Sequence, residues 1–231
     1  MNPRVSHQKT AAMTLVEVFV VTVVLAVLAA ILLPALLYPP RHHISRIGCV
    51  NNLKQIGLAF RIWEGDNGGK YPMQTSVTNG GAMELTADGK NPWFNFLVMS
   101  NELSTPKVLI CPQDKEHLPP ATNFSSQLVG HISYFVNLDA NDAYPQMFLS
   151  GDDNFAIGGV PVKPGLLELS TNAPIAWTSG RHEDSEMAHF WIPTKYGYIG
   201  LVDGSVASID NSGLKNLPGQ TGVVTNRLVI P

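Results

Sequence analysis

Charge is scarce in this sequence. Lysine, arginine, aspartate and glutamate make up 14% of its 231 residues, against roughly 25% in an average soluble domain. The 15 basic and 18 acidic side chains are scattered, with no basic block, which argues against a nucleic-acid-binding surface. Cysteine is rarer still, with only Cys49 and Cys111. No C-x-x-C occurs, so a zinc or dithiol redox motif has no support. The chain also lacks a G-x-S-x-G elbow, an H-E-x-x-H pair and an EF-hand loop, and shows no repeat or low-complexity tract. These absences leave little for catalysis, and a non-enzymatic role is expected.

What the chain does have is apolar residues, 45% of the total, with 20 glycines and 17 prolines. The glycines and prolines predict a head rich in turns. From Leu15 to Tyr38 the sequence is apolar for 24 residues with a single charge, Glu17. As a helix this run spans about 36 Å at 1.5 Å per residue, enough to cross a hydrocarbon core of about 30 Å. It is too long for the 7–15-residue core of a cleaved signal peptide, and apolar sequence continues past Ala29-Ala30. A charge at the centre of a bilayer helix costs about 2.5–3.5 kcal/mol on insertion scales, so Glu17 must be compensated, used, or snorkelled to the headgroups.

The residues around it point to a use. A short polar leader carrying Arg4, His7 and Lys9 precedes Ala12-Met13-Thr14-Leu15-Val16-Glu17. This resembles the processing site of type IV prepilins and type II secretion pseudopilins: a small residue, a hydrophobic one, Thr-Leu, any residue, then Glu. The resemblance implies cleavage by prepilin peptidase between Ala12 and Met13 and N-methylation of Met13. It makes Glu17 the fifth mature residue, whose carboxylate neutralises a neighbouring subunit's amine during assembly. The chain departs from the family in having Ala12 where glycine is favoured and Met13 where phenylalanine is common. Pro34 falls where many pilins bend this helix, and Pro39 in Tyr38-Pro39-Pro40 predicts a break.

Beyond the prolines, Ile44, Ile47, Val50, Leu53, Ile56, Phe60 and Trp63 recur at steps of three and four. They predict an amphipathic helix from about His42 to Trp63, ended by Gly65-Asp66-Asn67-Gly68-Gly69. Cys49-Val-Asn-Asn-Leu-Lys-Gln, Cys111-Pro112, and His189 with Asp203-Gly204 are similar to a bacterial group of pseudopilin-like proteins. The interval from His189 to Asp203-Gly204 is longer here than in that group. The expected fold is therefore α+β and pilin-like, a long N-terminal helix packed on a mostly antiparallel sheet. Its parts are a leader (1–12), a transmembrane and assembly helix (13–38), a spine helix (39–66) and an extracytoplasmic head (67–231).

In the head, strands are expected at Lys107–Cys111, His131–Leu138, Gln146–Leu149, Leu166–Leu169, Pro174–Thr178, Tyr196–Val202 and Ser205–Ile209. A short helix is expected within Asn91–Met99 and a short turn at Ser212–Leu217. Asp203-Gly204 predicts a hairpin turn with positive φ at both residues. Arg181 to His189 reads as a solvated polar loop. Two oxygen-rich turns, Asp139-Ala-Asn141-Asp142 and Gly151-Asp152-Asp153-Asn154, are candidate calcium ligands, although such clusters are also ordinary turn sequence. No other cofactor is expected. In an extracytoplasmic head Cys49 and Cys111 can form a disulfide; two separate buried thiols are the plainer reading. Trp93, Trp177, Trp191 and Tyr196 could line a glycan or partner surface, with core packing the plainer use.

The resemblance implies a single-pass inner-membrane protein with a periplasmic head, which then enters an extracytoplasmic filament. Its partners would be copies of itself, prepilin peptidase, the pilus or secretion assembly machinery and the membrane, with no nucleic acid. The rival reading is a membrane-anchored extracytoplasmic ligand-binding domain that does not polymerise.

Overall fold

The computed structural model describes residues 14–37, 41–125, 128–178, 181–182 and 195–231. The expected cleavage site at Ala12 and Met13, the break at Pro39, and His189 and Trp191 lie outside them. The chain divides into two compact units, Met1–Arg41 and His42–Pro231.

The first unit contains α1, Leu15–Leu37. Every described side chain of this helix as far as Leu33 is exposed. Its stretch from Leu15 to Leu33 is long and apolar enough to cross a membrane. Pro34 stands inside α1, which runs three residues past it.

The second unit is α+β. It contains all but the first residue of α2, Arg41–Asp66, whose inward stripe is Cys49, Leu53, Ile56, Phe60 and Trp63, all buried. Ile47, expected on that stripe, is exposed instead. Gly68 and Gly69, both at positive φ, follow the helix end and allow the chain to leave it. A loop-rich stretch follows with α3 (Met83–Thr86), α4 (Phe94–Val98) and α5 (Ser100–Leu103). Lys107–Cys111, expected as a strand, is mostly a 3-10 turn over Pro106–Leu109. Proline at its first position and the Thr105 side chain accepting from the Lys107 N–H fix that turn.

The strands are β1 (Tyr134–Asn137), β2 (Phe148–Asp152), β3 (Phe155–Ile157), β4 (Val160–Pro161), β5 (Gly165–Ser170), β6 (Ile175–Trp177), β7 (Tyr196–Leu201), β8 (Val206–Asp210) and β9 (Thr225–Ile230). Between β8 and β9 lies α6, Asn211–Asn216. Six strands form one sheet in the order β5-β9-β1-β2-β7-β8, and β4-β3-β6 form a second. Every pairing is antiparallel. The turn expected at Gly151–Asn154 is corrected: Gly151 and Asp152 belong to β2 and are buried.

The large sheet is covered on both faces. On β1, Tyr134 and Val136 join the core that contains the α2 stripe. Phe135 points the other way, into a second core with Phe148, Phe155, Trp177 and Ile199. This is the two-residue alternation of a strand used on both sides. At the β7–β8 hairpin Gly204 has φ 85°, but Asp203 does not share the positive φ expected for it. The loop is three residues long, closed by Gly204 N–H to Leu201 O (3.0 Å) and Leu201 N–H to Ser205 O (2.9 Å). That is the turn-plus-bulge form, which needs only one left-handed residue. Arg61 of α2 donates to Asp203 O at 2.7 Å and ties the hairpin tip to the helix.

Candidate functional site

A polar network is buried where β2, the loop after Cys111 and residues 181–182 meet. For Arg181 and His182, 5% and 2% exposed, it corrects the expectation of a solvated loop; positions 183–189 of that expectation lie outside the described residues. Arg181 lies between two carboxylates, with Nη1 2.6 Å from Asp153 Oδ1 and Nη2 2.8 Å from Asp114 Oδ2. Nη1 also donates to Ser133 O at 3.1 Å. His182 Nε2 lies 2.9 Å from Asp152 Oδ2, and Nδ1 2.5 Å from Gln113 Oε1. The same Asp152 oxygen accepts the Tyr198 N–H at 2.7 Å, which locks the carboxylate to β7.

His117 bridges two acids, with Nδ1 2.8 Å from Asp114 Oδ2 and Nε2 3.2 Å from Asp153 Oδ2. Both ring nitrogens face oxygens that only accept, so the doubly protonated ring suits the place best. Asp114 first, then Asp153, raise its pKa to about 9 against the opposing effect of burial. For Asp114 burial is the largest influence and works upward. The His117 hydrogen bond and the Arg181 guanidinium outweigh it and hold the carboxyl well below the usual range.

Two groups in this region have ligand-type atoms within 4.8 Å of one another: Cys49, Cys111 and His182, and Asp114, His117 and Asp153. Neither suits a metal. Cys49 and Cys111 form a disulfide, with Cα atoms 4.8 Å apart, so neither sulfur is a thiolate. In the second group the guanidinium of Arg181 and the His117 ring already supply the positive charge. The arrangement is a network of three buried carboxylates, one guanidinium and two imidazoles, with the exposed Glu116 carboxylate 3.8 Å from Arg181 Nη2 at its edge.

The disulfide clips α2 to this network. Cys111 Sγ lies 3.9 Å from His182 Nε2, and Asn52 of α2 donates to Ile110 O at 2.7 Å. The candidate calcium residues do not converge. Asp152 and Asp153 belong to the network, at the end of the β1–β2 pair where Tyr134 faces Asp152. Asp139 lies beyond the other end and is held by Arg227 through two guanidinium nitrogens and the backbone N–H. Asn141 Oδ1 accepts the Ala143 N–H at 2.8 Å, a local turn bond.

Glu17 lies in the first turn of α1. The Thr14 N–H donates to Glu17 Oε2 at 3.0 Å and the Thr14 hydroxyl at 3.2 Å, while the Glu17 N–H donates back to Thr14 Oγ1 at 3.3 Å. This is a capping box, and its T-x-x-E signature stands in the sequence. Both bonds to the carboxylate fall on Oε2. Of the aromatic residues, Trp93 and Trp177 are buried and Tyr196 is half-buried. Comparison with protein-family models, curated proteins and solved structures finds no match to this chain.

Proposed function

We propose that the chain is a non-enzymatic filament subunit of the type IV pilin and type II pseudopilin kind. In this reading it is cut between Ala12 and Met13, methylated at Met13, held in the inner membrane by α1 and polymerised through that helix, with an extracytoplasmic head. One observation carries the reading: an apolar helix with no cover within its own described unit starts at Leu15, directly after a cleavage-like sequence, with one carboxylate in its first turn. In lipid that carboxylate needs a cation. With Oε2 engaged by Thr14, Oε1 remains for a neighbour's terminal amine. The buried disulfide suits a head outside the cytoplasm.

The test is mass spectrometry of the N-terminus of the native protein from cells with an active prepilin peptidase. The expected peptide begins at N-methylated Met13, and an intact leader under those conditions would overturn the assignment. The capping box favours a second reading, because it gives Glu17 a local use that needs no partner. In that reading α1 tethers a head that stays monomeric.

A further inference from the structure

A cavity of about 580 Å³ lies at the β7–β8 side of the large sheet, within the about 300–1,000 Å³ usual for small-molecule sites. Strand register builds it. Tyr196 sits opposite Asp210 and Tyr198 opposite Ser208, so two phenol rings, a carboxylate and a hydroxyl share one face. Arg46 of α2 and, from the turn after α6, Leu217 and Gln220 complete the walls.

The aromatic wall is fixed from behind by the buried network. The Tyr196 ring stacks on His182, with centroids 5.6 Å apart and planes 25° apart, and the Tyr198 ring meets His182 edge-on at 4.8 Å. His182 is itself held between Asp152 and Gln113. The Arg46 guanidinium lies 5.7 Å from the Tyr196 ring centroid. A wall supported in this way needs little reordering when a ligand arrives.

The lining selects a ligand class. Among the described lining residues, Arg46 and Asp210 contribute one charge of each sign, a balance that does not favour a phosphate. Asp210 is partly engaged as the cap of α6, accepting from the Gly213 N–H at 2.8 Å and the Ser212 hydroxyl at 2.7 Å. Ser208 and Gln220 are exposed, and a hydroxyl and an amide each donate and accept. Ile209 and Leu217 add apolar surface. Groups that both donate and accept, beside apolar walls and with charges that balance among the described lining residues, match a pyranose ring with its hydroxyls and C–H faces. We propose that this pocket binds a neutral hexopyranose oligosaccharide. Such binding does not require polymerisation.

The test uses the full-length protein in a detergent without a sugar headgroup. It is titrated by calorimetry with cellohexaose, chitohexaose and maltohexaose, with polygalacturonate as the anionic control. At least one neutral hexasaccharide is expected to bind saturably, with a Kd in the millimolar range or tighter. Ser208→Val and Gln220→Ala should each weaken it about tenfold or more, with unchanged thermal midpoints because both positions are exposed. Lys90→Ala, beside the opposite, β5 edge of the sheet, should leave binding unchanged. The proposal is overturned by no saturable binding of any of the three, by binding that survives both pocket substitutions, or by preference for polygalacturonate.

Discussion

At the residue scale Glu17 has two candidate roles, and one substitution separates them. A capping box accepts glutamine at this position as readily as glutamate, whereas an ion pair with a neighbour's amine requires the charge. Glu17→Gln should therefore preserve α1 and membrane insertion but abolish filaments, as seen by shearing and electron microscopy. Glu17→Ala should lose the carboxylate's half of the capping box while keeping the N–H bond of residue 17 to Thr14 Oγ1, and should also lose assembly. Filaments formed by Glu17→Gln at normal yield would leave the carboxylate with its local bonds to Thr14 alone. Arg181 poses the opposite case, a charge whose partners are all internal. Arg181→Leu leaves Asp114, Asp152 and Asp153 together without their guanidinium. The expected loss is about 3–5 kcal/mol, measured by denaturant unfolding of the detergent-solubilised protein. Glu17 is legible in the sequence because its signal is local, within six residues of Ala12. Arg181 is not, because its partners Asp114 and Asp153 stand 67 and 28 positions away, and a one-dimensional polar run looks the same in solvent or buried.

At the element scale, the spacing from Val50 to Trp63 is enough to place α2 and its inward face, since helical period and burial coincide there. Strands rich in β-branched or aromatic residues, such as β7, are equally readable. β9 escapes a reading by pattern, although it lies between β5 and β1. Its sequence Thr-Asn-Arg-Leu-Val-Ile opens with three polar residues, and their roles are tertiary: Asn226 is buried and Arg227 clamps Asp139. The two sheets meet at a contact that tests this packing. A Cβ on Gly197 of β7 would come within 2.5 Å of the Trp177 ring. That ring cannot easily yield, because its Nε1–H donates to Ile209 O at 2.8 Å and the Trp177 N–H donates to Asn211 Oδ1 at 2.8 Å. Gly197→Ala should destabilise the head by about 1–3 kcal/mol through overpacking. The readouts are a lower thermal midpoint and a changed near-ultraviolet circular dichroism band from Trp177, with α2 helicity retained.

At the scale of the whole molecule, the buried network joins the disulfide-clipped helix α2, the β1–β2 pair and β7, so its protonation state should govern head stability. The pKa of His117 rises on folding from 6.5 to about 9. Its contribution is therefore complete below pH 6.5 and declines as pH rises through about 9. The carboxyl of Asp114 is depressed from 3.8, so its contribution is present above that value and fades as pH falls below it. The two effects share one interaction and are not to be added. Stability should form a plateau between about pH 4 and 6.5 and then fall toward pH 9. The fall is at most about 3.5 kcal/mol, since each tenfold change in proton affinity is worth about 1.4 kcal/mol. Tyr71, Tyr134 and Tyr198, held above the usual phenol range by burial first, add a loss of their own only above about pH 10, outside the pH 6.5–9.5 window in which His117 titrates. His117→Gln keeps a polar side chain facing Asp114 and removes the titration. Its stability should be lower on the plateau and nearly flat from pH 6.5 to 9.5, converging with the unsubstituted protein at the alkaline end. Parallel profiles for the two proteins would show that the alkaline loss arises elsewhere than at the Asp114–His117–Asp153 bridge.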